Sequence, residues 1–293
     1  MVKLFISILF CLTVAPSWAA GRVNVAATVP NMGMLAREIG GEKVNVTVMT
    51  PPDRDAHYLD ARPSMMAALR RADLVVAVGA ELEIGWLPAA IRGANNPTIQ
   101  TGRTGYFEGA AHIELIEKEI ADRSRGDVHP AGNPHFDLDP VKLAKVGHAL
   151  ARRLESIDSD NAEYYRQNAL EFENKVKERM NRWKEKAAVE GVLPYHGDAN
   201  YLFRRLNIPI HNHIELLPGI PPTASHLRDL VRSLRDKDGV ITYILFQPSR
   251  GPEFMSSQLG WPAYRLPTQV PVDADAEDYF QMIDRWVEAL SGN

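Results

Sequence analysis

Residues 72–78 (ADLVVAV) form a nearly continuous apolar run. Such a run predicts a strand that is buried on both faces, as the strands of parallel sheets are. Pro63 to Arg71, directly before it, predicts a helix. Further upstream, Arg22 to Thr28 and Val44 to Met49 predict two more strands, with a helix predicted between them over Met32 to Ile39. Strands and helices that alternate at this spacing predict βαβ units.

The second half of the chain repeats this alternation. Between the halves, residues 160–188 predict one helix about 40 Å long, since a helix rises ~1.5 Å per residue. The predicted fold is therefore α/β, with two lobes that each contain a parallel sheet flanked by helices, joined by one long helix. The lobes are predicted at residues 20–158 and 190–293 and the connecting helix at 159–189. The other predicted elements are helices at 113–120, 140–154, 200–206, 224–237 and 276–290 and strands at 191–195, 208–216, 240–246 and 263–266.

The N-terminus is typical of a secretory signal peptide, predicted at residues 1–19. Lys3 is followed by an apolar stretch, residues 4–14 (LFISILFCLTV), that is too short to span a bilayer. Pro16 breaks this stretch, and Ser17 and Ala19 are small residues suited to cleavage after Ala19. A membrane anchor or a buried N-terminal helix is the alternative, which the short apolar stretch and the polar residues after it disfavour. The sequence thus predicts export to the periplasm and no membrane insertion after cleavage.

Charge and cysteine content exclude several kinds of protein. The net charge of −4 leaves no basic surface of the kind that nucleic-acid binding requires. The one cysteine lies within the predicted signal peptide, so the mature chain has no disulfide and no thiolate to bind a metal.

Three histidines lie on predicted loops at the ends of strands or helices: His57, His135 and His196. Each of them alone is more typical of a hydrogen-bonded loop histidine. Together, from both halves of the chain, they favour a metal site, and neutral imidazole suits zinc.

The sequence resembles the periplasmic zinc- and manganese-binding proteins that serve ABC importers, the ZnuA/TroA-like group. The resemblance spans essentially the whole mature chain, and its motifs occur in a fixed order. They are Asp55-Ala56-His57-Tyr58 with Arg62-Pro63-Ser64, then Ala72-Asp73-Leu74-Val75-Val76 with Gly79, Leu82-Glu83 and Trp86-Leu87, then Asn133-Pro134-His135-Phe136-Asp137-Leu138-Asp139-Pro140, then Tyr195-His196, and last Pro218-Gly219-Ile220-Pro221-Pro222-Thr223. The resemblance implies a two-lobe fold on a rigid connecting helix, with the metal between the lobes.

Carried over to this sequence, the resemblance makes His57, His135 and His196 metal ligands. Histidine at the third position is typical of the zinc binders, which agrees with the preference of imidazole for zinc and of carboxylate for manganese. The fourth ligand of the group is an Asp after a late strand, where this chain has Pro267-Thr268-Gln269. Asp273 is the nearest substitute and is predicted as the fourth ligand, with a water or another carboxylate as the alternative.

The predicted function is that of a monomeric periplasmic binding protein, not an enzyme, which captures Zn²⁺ in preference to Mn²⁺ and delivers it to an inner-membrane ABC permease. The alternatives are an exported zinc enzyme with a three-histidine site and a binding protein for a metal chelate such as a siderophore. Three further histidines remain without an assigned role: His129, as a substitute or transfer ligand or a surface histidine, and the pair His211 and His213, predicted on one face of a strand.

Overall fold

The first half of the chain alternates strands and helices around a four-stranded parallel sheet. The structure, a computed structural model, describes residues 21–118, 129–216 and 219–292, and the predicted signal peptide lies outside these residues. The strands run in the order β2-β1-β3-β4. Their bounds are β1 Val23–Ala27, β2 Val44–Val48, β3 Leu74–Ala77 and β4 Tyr106–Glu108, and the helices of this half are α1 Pro30–Gly40, α2 Pro63–Arg71, α3 Leu87–Ala94 and α4 Pro140–Ile157.

The sequence explains why these elements begin and end where they do. Pro30, Pro63 and Pro140 each occupy the first position of a helix, where a missing N–H costs nothing. The carboxylate of Asp139 caps α4 by accepting hydrogen bonds from the next turn. All four residues of β3 are buried, as its apolar run predicts for an inner strand.

The second half contains a smaller parallel sheet of three strands in the order β5-β6-β7. The strands are β5 Val192–Pro194, β6 Val240–Ile244 and β7 Ala263–Leu266. The helices around it are α6 Asn200–Arg205, α7 Ala224–Leu234, α8 Arg250–Leu259 and α9 Ala276–Ala289.

A long helix, α5 Ala162–Lys186, lies between the two halves and contacts helices of both. It packs against α1 and α4 from the first half and against α9 from the second. Its buried residues recur at helical spacing: Tyr165, Ala169, Phe172, Val176, Met180 and Trp183. Through them, apolar side chains of both sheets join one continuous core.

The helix α9 closes this core. A capping box formed by Asp275 and Asp278 fixes its first turn. Phe280 stacks on Phe172 of α5 at 5.8 Å between ring centroids and contacts Trp183 at 6.2 Å. The guanidinium of Arg179 makes a cation–π contact with the ring of Phe280, at 4.1 Å from its centroid.

The structure confirms the predicted fold class and the long helix, and it corrects several local predictions. Residues 208–216 do not form a strand, because only Ile210 makes a bridge, to Val192. The described part of the helix predicted at 113–120, residues 113–118, is not helical. The sequence analysis missed α3, β4 and α8. Among the residues that the structure describes, no helix has both the length and the apolar character needed to cross a membrane.

We expect Phe280→Ala to lower the free energy of unfolding by about 3–5 kcal/mol, since it leaves a cavity between α5 and α9. Chemical denaturation followed by circular dichroism measures the change. Lys186→Ala is the matched control on the same pair of helices, because it removes an exposed ion pair with Glu288 and should cost less than about 1 kcal/mol. Equal losses in the two variants would contradict the packing argument.

Candidate metal site

The structure brings His57, His135 and His196 together in one crevice. His57 lies on the loop between β2 and α2, His135 just before α4, and His196 directly after β5. The ring centroids of His57 and His135 are 5.2 Å apart, and those of His135 and His196 are 5.7 Å apart. The three rings thus form a row in which His135 is the middle member. The crevice lies beyond the carboxyl ends of the strands, where parallel sheets place their ligands.

Asp55 fixes the orientation of His57. Its Oδ1 lies 2.7 Å from Nδ1 of His57 and accepts a hydrogen bond of 2.9 Å from the backbone N–H of His57. Burial raises the pKa of Asp55, but the hydrogen bonds and the charge of His57 outweigh burial and lower it below its ordinary value. The indole of Trp86 donates a hydrogen bond of 2.9 Å to the carbonyl of Ala56, which holds the loop beside His57.

Glu215 fixes His196 in the same way. Its Oε2 lies 2.9 Å from Nδ1 of His196, and both side chains are largely buried, at 19% and 9% exposure. The backbone N–H of Glu215 donates to the carbonyl of Tyr195, which places this carboxylate beside the end of β5. Burial lowers the pKa of His196, but Asp198 and Glu215 outweigh burial and raise it to about 9. The carboxylates therefore favour a positive charge at this position, carried by a proton or by a metal cation.

His135 is the histidine of this row whose Nε2 is buried and lacks a hydrogen-bond partner among the residues that the structure describes. Burial lowers the pKa of His135 well below its ordinary value, and the neighbouring histidines lower it further. Its backbone N–H donates to Oδ1 of Asn133, which fixes the loop. A buried neutral imidazole with an unsatisfied nitrogen is suited to bind a metal.

Asp198 is a further carboxylate beside this row of rings. Ligand atoms of His135, His196 and Asp198 all lie within 4.8 Å of one another, close enough to hold one ion. Gln247 donates a hydrogen bond of 2.7 Å to Oδ2 of Asp198. Burial raises the pKa of Asp198, and the charge of His196 opposes the rise.

The structure does not bring Asp273 to the histidines. Asp273 is exposed, and its charge acts on Arg37, whose guanidinium donates to the carbonyls of Val272 and Ala274. The crevice is instead lined by Gln269, whose amide donates a hydrogen bond of 2.7 Å to Asp137.

The three histidines without an assigned role separate into two groups. His129 adjoins the site, with its Nε2 3.1 Å from Nε2 of His57. His211 and His213 have partners of their own, because His211 contacts the carbonyl of Asp238 and His213 contacts the side chain of Asn200. They do not form the paired face that a strand at 208–216 predicts.

The sequence analysis missed three polar residues of the site: Asp55 and Glu215, which position histidines, and Asp198. The spacing His196-Gly197-Asp198 at the end of a strand is a signal that could have identified Asp198. Glu215 lies far from His196 in sequence and within a segment that was predicted to be a strand, so no pattern linked the two residues.

Comparisons with known proteins show the family of this chain. Residues 25–292 match the family described as the periplasmic zinc-uptake complex component A, ZnuA. The chain is 22% identical over 282 residues to the high-affinity zinc uptake system protein ZnuA of Bacillus subtilis, covering 92% of this chain and 86% of that protein. It is also 22% identical to the manganese ABC transporter substrate-binding lipoprotein ScaA of Streptococcus gordonii, over 74% of this chain and 70% of that one. The match spans about half the length of FimA of Streptococcus parasanguinis, 56%.

Solved structures share the fold. A crystal structure of ZnuA superposes with a TM-score of 0.76 at 19% identity, covering 92% of this chain and 100% of that one. The binding protein FpvC of Pseudomonas aeruginosa, in complex with Mn²⁺, superposes with a TM-score of 0.77 at 21% identity, covering 92% and 97%.

The fold and the family match together define a metal-binding substrate-binding protein of the ABC transporter type. The chain belongs to the ZnuA family, and the resemblance seen in the sequence is confirmed. The family members are transport proteins that bind a substrate.

We expect Asp55→Asn to weaken metal binding by about 10–100-fold if His57 is a ligand, since the amide lacks the charge with which the carboxylate raises the basicity of the imidazole. Competition with a chelator of known affinity measures the change. Asp53→Asn is the matched control, because Asp53 is an exposed carboxylate on the same loop. If the two variants bound metal equally well, Asp55 would have no role in positioning His57.

Proposed function

We propose that this chain captures a divalent transition metal, zinc in preference to manganese, and delivers it to an ABC importer in the inner membrane. The observation that carries the proposal is the group of ligand atoms from His135, His196 and Asp198, all within 4.8 Å of one another. His57, whose ring adjoins that of His135, completes the proposed ligand set. The chain acts as a binding protein and not as an enzyme.

The chemistry of the donors favours zinc. Three imidazoles and one carboxylate give a nitrogen-rich set, which suits zinc in four-coordinate geometry. Manganese prefers sites dominated by carboxylate, carbonyl and water oxygens. The relatives include proteins named for zinc and for manganese, so the donor set of this chain is what favours one metal over the other.

The place of action and the partner follow from the family and from the N-terminal sequence. The signal peptide predicted at residues 1–19 sends the mature chain to the periplasm, where it acts as a monomer. Its partner is a membrane permease, because members of this family are the substrate-binding components of ABC transporters. The proposed lobes are residues 20–158 and 190–293, joined by the connecting segment 159–189. Each lobe supplies ligands to the proposed site.

We expect the mature protein to bind one Zn²⁺ tightly and Mn²⁺ weakly, and bound zinc to raise the melting temperature. Chelator competition with each metal and thermal unfolding measure the two effects. His135→Ala should weaken zinc binding by more than about 100-fold, because it removes a ligand itself. Removing only a residue that hydrogen-bonds to a ligand already weakens binding by about 10–100-fold.

The control for His135→Ala is His211→Ala, which removes an imidazole that contacts Asp238 away from the site. Manganese binding as tight as zinc binding would overturn the zinc assignment. No metal binding by the wild-type protein would overturn the proposed function.

We expect Asp198→Asn to weaken zinc binding by at least about 10-fold, because the amide keeps the shape of the side chain but loses the charge that offsets the ion. Asp273→Asn is the matched control and should bind zinc like the wild type. Isothermal titration with zinc, in the presence of a competing chelator, measures both variants. If Asp273→Asn lost affinity and Asp198→Asn did not, Asp273 would be the carboxylate ligand.

A further inference from the structure

His129 lies outside the ligand set proposed above, yet its ring packs against that of His57. The two ring centroids are 5.1 Å apart, and the two Nε2 atoms are 3.1 Å apart. His129 also adjoins His135, at 6.4 Å between ring centroids. The three rings are therefore neighbours of one another, whereas His213 and His211 contact other groups.

The hydrogen bonds of the two rings define which nitrogens carry hydrogen. Nδ1 of His57 faces the carboxylate of Asp55 at 2.7 Å, and Nδ1 of His129 faces the carbonyl of Ala80 at 3.1 Å. Carboxylate and carbonyl oxygens accept hydrogen bonds, so each Nδ1 is a donor. In the neutral rings the Nε2 atoms then carry lone pairs, and these face each other across 3.1 Å. A cation that both nitrogens share stabilises this arrangement.

The acceptor that orients His129 is itself held in place. Ala80 lies in a turn of three consecutive residues with positive φ: Gly79 at 82°, Ala80 at 51° and Glu81 at 68°. The buried carboxylate of Glu83 fixes the start of this turn by accepting hydrogen bonds from the N–H groups of Val78 and Gly79, at 2.8 and 3.1 Å.

His57, His129 and His196 thus share one arrangement. In each, Nδ1 faces a fixed oxygen, from Asp55, Ala80 or Glu215. Metal-ligating histidines are oriented by this kind of outer partner, a carboxylate or a backbone carbonyl on the second ring nitrogen.

The distances agree with shared ligation. Two zinc–nitrogen bonds of about 2.0–2.1 Å that meet at an angle of about 90–110° place the ligating nitrogens about 2.9–3.3 Å apart and their ring centroids about 4.5–5.2 Å apart. The corresponding separations between His57 and His129 are 3.1 Å and 5.1 Å.

We propose that His129 is a further ligand of the captured ion, paired with His57; this inference rests on the proposed function. A fourth imidazole brings the donors to five and makes the set richer in nitrogen, so His129 contributes to the selection of zinc over manganese.

The test compares His129→Ala and His129→Asn with the wild type, using Co²⁺ as a spectroscopic substitute for zinc. Asparagine places an amide N–H near the position of Nδ1, from which it can donate to the carbonyl of Ala80, but it has no group at the position of Nε2, so it separates loss of a ligand from loss of the loop contact. The expected result is an altered visible absorption spectrum of bound Co²⁺ in both variants. Zinc affinity should fall by about 10-fold or more in both, with a smaller change for Mn²⁺. The control is His112→Ala, which removes an imidazole stacked on Phe107.

A Co²⁺ spectrum that is unchanged in both variants would overturn the inference, whether or not affinity falls, because His129 would then lie outside the coordination sphere. The two proposals fail in different ways. Failure of the wild-type protein to bind zinc would remove the proposed function. Normal binding by the wild type and by both His129 variants would remove only the role of His129.

Discussion

The packing of α5 against helices of both halves is the contact on which the geometry of the site depends. The helix contacts α1 and α4 of the first half and α9 of the second, and apolar side chains of both sheets belong to one core. His57 and His135 belong to the first half and His196 to the second. Their convergence therefore reflects the relative position of the sheets, and that position is fixed by buried apolar surface, the main favourable term in folding.

Carboxylates that are largely buried make the site favourable for positive charge. Asp55 and Glu215 contact the outer nitrogens of two histidines, while Asp198 lies with His135 and His196. A buried carboxylate is costly unless a positive charge or hydrogen bonds compensate it. The raised pKa of His196 shows that this environment favours positive charge. The same groups that hold a proton on His196 would stabilise a divalent cation, and binding such an ion would release that proton.

The sequence predicts much of the fold and part of the site. Helix α2 begins and ends where the sequence predicts, because Pro63 starts it and an apolar run follows. The segment 208–216 contains alternating apolar residues and makes backbone hydrogen bonds along β5, but only Ile210 forms a β-bridge, so the segment is not a strand. The sequence motifs predict His57, His135 and His196 as ligands, and the structure places their rings next to one another, but no pattern indicates which carboxylate lies near them. Asp198 and not Asp273 lies near the rings, because the path of the last loop depends on long-range contacts that sequence spacing does not encode.

The helix α9 has a consequence for the order in which the chain acquires its structure. It is translated after every other described helix and strand, yet two of its side chains bind earlier segments. The hydroxyl of Tyr279 donates a hydrogen bond to the carbonyl of Asp137, and the indole of Trp286 donates one to the carbonyl of Pro267. Residues near position 280 also cover the middle of α5. A nascent chain that lacks these residues exposes the apolar face of α5 and leaves the segment after His135 without its buried anchor. The core, and with it the frame of the site, is therefore complete only when α9 has been made.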